Sequence, residues 1–234
     1  HVLNEQQDEI AAVIIEPLLM GAGGMKRTSP TFYNQVRKIT KQHNVHLISD
    51  EVATGFGRTG HLFASYAANV TADFMCLSKA LTNGQLPLAV TMTTNDIYNA
   101  FYADFNEGKT FYHGHTYTAN PLGCAVANAT LAVLDDWDWQ AHVSGIQQTL
   151  STGVKSLVDQ FDFISSPRGI GTVAAFDIEL PGERALFNLS QRGFDHHLTI
   201  RPLGNTIYLY LPLITTQDEC MDILDHLNGV IASH

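Results

Sequence analysis

Two short apolar runs in this chain each deliver one charged side chain: HLISDEV brings Asp50 and DFMCLSK brings Lys79. As neighbouring parallel strands, about 4.8 Å apart, they would carry a carboxylate and an amine to the edge where open α/β sheets bind ligands. A lysine and an aspartate set across a planar aromatic ring meet the needs of pyridoxal 5'-phosphate. The lysine forms a Schiff base, and the aspartate partners the pyridinium nitrogen. The plain alternative is two strands that merely end in charges, because strand ends and the loops after them are commonly polar.

Each residue can be given a role on chemical grounds. A lysine at the end of a buried strand is costly to leave unpaired, and a Schiff base removes the charge. Once a substrate displaces it, the amine is free to move a proton at the substrate Cα. Asp50 would keep the ring nitrogen protonated, so that the ring can take up electrons. Glu51 points the other way along the strand and reads as structural, whereas Val52 shares the direction of Asp50.

The elements that must hold these residues follow from hydropathy and turn chemistry. AAVIIE, VHLISDEV, FMCLSK and LAVTMT read as strands, the first three as strands buried on both faces. SPTFYNQVRKITKQHN joins the first two as a helix, with Ser29 as N-cap and Pro30 at the first helical position, making a βαβ unit. A second helix starts at Asn120 and Pro121, and a further one spans about 137–160. Beyond it GIGTVAAFDIEL, LTIRPLG and TIYLYLPL read as strands of a smaller sheet, and RALFNLSQRG as a helix stopped by Gly193. The last helix opens with a Thr216/Glu219 capping box. The expected fold class is α/β, a mostly parallel large-domain sheet with helices on both faces over residues 1–160, then a smaller α+β domain over 161–234.

Composition removes several function classes. A net charge of −10 without basic clusters argues against nucleic acid and anionic membrane surfaces, and no run reaches the length of a membrane span. Cys76, Cys124 and Cys220 are too widely spaced for a disulfide framework or a CxxC metal site. They read as buried thiols of a reducing, cytoplasmic compartment. His113 and His115 form an HxH without a third ligand at helical spacing, so no metal is expected. Residues 55–60 spell GxGxxG after a strand. No helix pattern follows promptly, and the acidic residue expected about 20 positions on is not clearly present. An active-site loop whose glycines give backbone freedom is the expected reading, a nucleotide-binding domain the rival, and GAGG at 21–24 a turn.

The ordered motifs IIEPLLMGAGGM, LISDEVATGFGRTG, LSKALTNGQLPLAV and GHTYTANPLGCAVA resemble the core of a class III aminotransferase of fold-type I, over nearly the whole chain. The chain begins at His1 and is about half the family's length, which makes it similar to the C-terminal half. The resemblance implies Lys79 as the catalytic lysine, Asp50, Val52, Lys79 and Thr116 as cofactor-binding residues, and Gly84 and Arg201 as substrate-binding residues. Thr116 would reach the cofactor phosphate of a partner subunit in a homodimer with shared sites, and Arg201 would bind the carboxylate of a long oxo-acid through a two-pronged contact. It is most similar to the branch that aminates 8-amino-7-oxononanoate in biotin synthesis, with adenosylmethionine or lysine as the amino donor. Another ω-aminotransferase and a non-catalytic protein of the same fold remain as alternatives. Three positions depart from related sequences. Ala22 stands where ornithine and 4-aminobutyrate enzymes carry glutamate, Met20 where glutamine is common, and Asn83 where glycine is usual.

Overall fold

The computed structural model describes residues 1–233. In chain order the elements begin with helix α1 (Val2–Gln6), strands β1 (Ala12–Ile15), β2 (Leu19–Met20) and β3 (Lys26–Arg27), and helix α2 (Pro30–Gln42). Strands β4 (His46–Asp50), β5 (Phe74–Leu77) and β6 (Val90–Thr93) follow, then helices α3 (Asn95–Phe101), α4 (Pro121–Asp135) and α5 (Trp139–Gln160). The chain closes with strands β7 (Ile164–Ile170) and β8 (Val173–Ile178), helix α6 (Ala185–Asp195), strand β9 (Thr206–Tyr210) and helix α7 (Gln217–Ala232). Two compact units result. The first comprises His1–Pro17, Ser29–Phe56 and Ser65–Trp137; the second comprises Leu18–Thr28, Gly57–Ala64 and the chain from Asp138. No helix among the described residues is long and apolar enough to cross a membrane.

The first unit is built on a four-stranded sheet of order β1-β4-β5-β6, parallel except for β6 at its edge. Helix α2 crosses over from β1 to β4, as the βαβ reading requires. Its Ser29 Oγ accepts from the Phe32 N–H at 3.0 Å, and Pro30 occupies the first turn, where its missing N–H costs nothing. The helix buries Tyr33 against Leu47, Ala68 and Val70. The register alternates Leu47 and Ser49 inward while Ile48 and Asp50 face the other side. Burial on both faces, expected of β1, β4 and β5, is met on one face only, since Ile14, paired with Ile48, is 62% exposed. Arg37 of α2 grips the Asp73 carboxylate with two hydrogen bonds of 2.7 and 3.0 Å, and the same carboxylate accepts from the Leu47 N–H at 2.7 Å. Helix, strand and the entry to β5 are thereby tied at one point.

The second unit is a three-stranded antiparallel sheet of order β7-β8-β9 covered by helices. Ile146, Leu150, Val154 and Leu157 form one stripe of α5. They pack in a single core with Phe176, Ile178 and Ile207 of the sheet and Leu224, Leu227, Val230 and Ile231 of α7. This stripe shifts the compact boundary. Because α5 closes its apolar face on the second unit, the chain divides at Trp137/Asp138 and not near residue 160. Two other expectations change. LTIRPLG is irregular apart from a bridge between Leu203 and Thr206, because Pro202 lacks a ladder N–H and Gly204 turns the chain at φ +59°. Gly193 does not stop α6, which runs on to Asp195. A Cβ there would lie 2.7 Å from the Leu198 carbonyl, so the glycine serves a close approach. The Thr216/Glu219 capping box is present in full. All three cysteines are free thiols, but only Cys220 is fully buried; Cys76 and Cys124 are partly exposed.

Candidate active site

The parallel pairing of β4 and β5 fixes the relation between the two residues first singled out. Asp50, the last residue of β4, is the register partner of Cys76, and the Glu51 N–H extends the ladder to the Cys76 carbonyl at 3.0 Å. Lys79 follows three residues beyond Cys76, where β5 gives way to a short 3₁₀ turn, Lys79–Thr82. Carboxylate and amine therefore leave adjacent strands at the same end of the sheet.

Asp50 is half-buried on the more open face. Its Oδ1 accepts from the Val52 N–H at 3.1 Å, an arrangement that sets both Asp50 and Val52 on one tight loop. Among the described residues Asp50 has no ion pair. Glu51 is fully buried and has the structural role expected of it: Oε2 accepts from Thr54 Oγ1 at 2.7 Å and Oε1 from the Ser65 N–H at 2.8 Å. Glu51 thus closes the segment that leaves Asp50. Burial raises the Tyr33 phenol, and the nearby Glu51 charge adds to the rise, against a lowering contact from Ser49.

Lys79 differs from its expected setting. It is solvent-exposed, so the cost of burial is not what singles it out. Its backbone is: Lys79 sits at φ +45°, in the left-handed region that a non-glycine residue occupies only when its surroundings impose it. The Gly84 N–H donates to the Lys79 carbonyl at 3.3 Å, closing the turn on the lysine itself. Asn83 and Gly84 are also left-handed, at φ +49° and +74°. Asn83 Nδ2 donates to Thr130 Oγ1 of α4 at 3.1 Å. Sequence reasoning noted Asn83 only as a departure and missed Thr130 altogether. The Asn83-Gly84 dipeptide, a strong turn signal, pointed to the first of them.

Thr116 lies in an exposed turn, where the Thr118 N–H donates to the His115 carbonyl at 2.9 Å. Along residues 102–117 Tyr102, Phe105, Tyr112 and Tyr117 are largely exposed. Arg201 belongs to the second unit, where it is exposed in the loop ahead of β9. The GFGRTG segment uses the backbone freedom expected of its glycines, with Gly57 and Gly60 both at φ +88°. The Arg58 guanidinium stacks 4.3 Å from the Tyr210 ring and donates to Thr172 Oγ1 at 2.6 Å and to the Leu211 carbonyl. Burial pulls the Arg58 pKa down from its ordinary value while Tyr210 acts against this. A Cβ on Gly57 would meet the Trp139 ring at 3.1 Å. Gly57, Arg58 and Thr59 are packed in place, and among the described residues the next element is a short 3₁₀ turn, Ala64–Ala68.

Comparison with known proteins agrees with this geometry. The family model described as aminotransferase class-III matches residues 1–231. A Helicobacter pylori protein named adenosylmethionine-8-amino-7-oxononanoate aminotransferase is 41% identical over 97% of this chain and 54% of its own length. The crystal structure of a protein of that name from Methanocaldococcus jannaschii superposes with a TM-score of 0.92 at 33% identity, over 99% of this chain and 56% of that one. An amine transaminase from an uncultivated Pseudomonas species, in its PLP-bound form, gives 0.91 at 29% identity, over 99% and 54%. The chain spans about half the length of the relatives it matches. With the model matched almost end to end and the strand-end aspartate and lysine where the fold presents them, the chain belongs to the class III aminotransferase family.

Proposed function

We propose that this chain supplies the lysine and the ring-facing aspartate of a pyridoxal 5'-phosphate-dependent aminotransferase that converts 8-amino-7-oxononanoate into 7,8-diaminononanoate. The observation that carries the reading is the pair at the ends of β4 and β5, a half-buried carboxylate without an ion pair and an amine on a strained turn. These residues fit the cofactor. Asp50 has acceptor capacity beyond its bond from Val52, as a protonated ring nitrogen requires. Lys79 has no ion pair among the described residues to compete for its amine.

Pyridoxal phosphate, when bound, supplies an aldehyde that takes amines covalently and a ring that accepts electrons as a substrate Cα loses its proton. Asp50 would hold the proton on the ring nitrogen, and Val52 would pack beside the ring. Lys79 would hold the aldehyde carbon at rest and, once exchanged for a substrate amine, carry the proton between Cα and the cofactor carbon. Arg201 would pair with the acceptor's carboxylate, and Gly84 would contact the substrate beside Lys79. The amino group would come from a small donor, adenosylmethionine in the name the relatives carry. Thr116 would serve the phosphate of a second copy. The exposed aromatic side chains along residues 102–117 support a homodimer that covers them.

Borohydride reduction of the holoenzyme followed by peptide mass mapping tests the reading. A pyridoxyl adduct on Lys79 is the expected result. An adduct on a different lysine would overturn it.

A further inference from the structure

We propose that Asn83 is a positioning residue for Lys79, locking the turn that carries the lysine to helix α4 through the Thr130 hydroxyl. The inference rests on Lys79 being the lysine that holds the cofactor. A lysine at φ +45° keeps that conformation only if neighbouring contacts hold it there. Most of the ties around it are local. Asn83 N–H donates to the Ala80 carbonyl at 3.2 Å and Gly84 N–H to the Lys79 carbonyl at 3.3 Å. Ser78 Oγ donates to the Leu88 carbonyl at 2.8 Å, and Thr82 Oγ1 to the Leu86 carbonyl at 2.5 Å. These bonds shape the turn, and the burial of Leu81 and Thr82 seats its middle against the rest of the unit.

Asn83 adds a directional tie at the C-terminal end of the turn. Among the side-chain hydrogen bonds described for residues 78–88, the bond from Asn83 Nδ2 to Thr130 Oγ1 at 3.1 Å leaves the segment. Its polarity is settled by chemistry: the Thr130 hydroxyl donates its single proton to the Val126 carbonyl at 3.0 Å, so its oxygen is left to accept. Thr130 is buried in the middle of α4, whose N-terminus is capped by Asn120 Oδ1 on the N–H groups of Leu122 and Gly123. The receiving end is therefore rigid. Asparagine suits the position twice, because it tolerates φ +49° and carries an amide donor. Glycine would meet only the first need.

The test uses Thr130→Val in the holoenzyme, which removes the acceptor without touching the backbone of the turn. The Gly84 amide should exchange with solvent about 2- to 10-fold faster, the effect of losing one hydrogen bond. In the apoenzyme, capture of pyridoxal phosphate by Lys79 should slow by a comparable factor. In turnover kcat should fall while the KM for the amino donor holds. Asn83→Gly should move the same readouts, and the double variant should add little to either single change. If Thr130→Val does not fold, Asn83→Gly carries the test. Unchanged Gly84 exchange and unchanged kcat would overturn the proposal, including the case in which only thermal stability falls. A borohydride adduct on another lysine would overturn the functional reading and this inference together, whereas an adduct on Lys79 with unaltered exchange removes this inference alone.

Discussion

Asp50 and Cys76 are direct register partners across β4 and β5, and the Glu51 N–H donates to the Cys76 carbonyl at 3.0 Å. That pairing puts the end of β4 level with the last residues of β5, three residues ahead of Lys79. A one-residue slip would turn Asp50 to the face that α2 covers. In the proposed site the register is therefore a determinant, and the contacts that fix it would carry functional weight.

Asp50→Asn is expected to leave the fold and most of the bound cofactor in place while slowing turnover, because the amide cannot hold a charged ring nitrogen. Losing a hydrogen bond to a charged group costs about 1.5–3 kcal/mol, roughly a 10- to 150-fold change. Steady-state turnover compared with cofactor absorbance per subunit measures it. Near wild-type turnover would mean that Asp50 does not face the ring.

Arg201→Ala should raise the KM for the oxo-acid by a similar factor and spare the half-reaction with the amino donor, since the acceptor's carboxylate is the group assigned to it. Stopped-flow measurement of the two half-reactions separates the effects. Equal damage to both would return Arg201 to a structural role.

The parts of this molecule legible in the sequence are those set by local chemistry. Ser29-Pro30, Asn120-Pro121 and the Thr216/Glu219 box start helices where the side chains cap them. The parallel order of β1, β4 and β5 follows from the βαβ pattern. What escaped depends on distant contacts. Gly193 reads as a helix stop, but only the Leu198 carbonyl pressed against it reveals its purpose. GFGRTG reads as a glycine loop, but the partners that hold Arg58, Thr172, Tyr210 and Leu211, lie more than a hundred residues along the chain. Asp50 and Lys79 stand out in the sequence by type and spacing, yet the feature read for Lys79, burial, differs from the one observed, a left-handed backbone.

Glu51→Ala should destabilise the first unit by at least about 1 kcal/mol, because it leaves the buried Ser65 N–H without its acceptor, at ~1–3 kcal/mol, and the Thr54 hydroxyl with only the Asp50 carbonyl at 3.5 Å. Glu51→Gln keeps one acceptor oxygen and should cost less. Urea midpoints of the two variants provide the comparison; equal midpoints would show that neither bond contributes.

Gly171→Ala and Gly182→Ala should differ sharply although both glycines have positive φ, +57° and +102°. At Gly171 a Cβ would fall 2.0 Å from the Arg58 carbonyl oxygen, which is backbone and cannot swing aside, whereas nothing lies within 4 Å at Gly182. Gly182→Ala should cost only the backbone strain, ~1–2 kcal/mol. Gly171→Ala should add an overpacking cost of ~1–3 kcal/mol and loosen the seat of the GFGRTG segment. Thermal melts rank the pair, and similar melting temperatures would refute the packing argument.

Acid should weaken both units through one carboxylate in each. Burial acts to raise the Asp73 carboxyl, but the Arg37 guanidinium and the Leu47 N–H outweigh it and hold the group below its ordinary range. For Asp177 burial again acts upward, and Arg168 with Thr206 wins. A carboxyl depressed in the folded state means that the unfolded chain binds more protons as pH drops, so stability rises with pH across this window. The contribution is complete above the unfolded value, ~3.9, and is lost as pH falls through the lower folded values. Wild-type urea midpoints should therefore decline steeply below about pH 4. Asp73→Asn, less stable at neutral pH, should show a shallower decline, because its amide has no proton to gain. Parallel pH profiles for the two proteins would show that the Arg37–Asp73 contact does not govern acid stability.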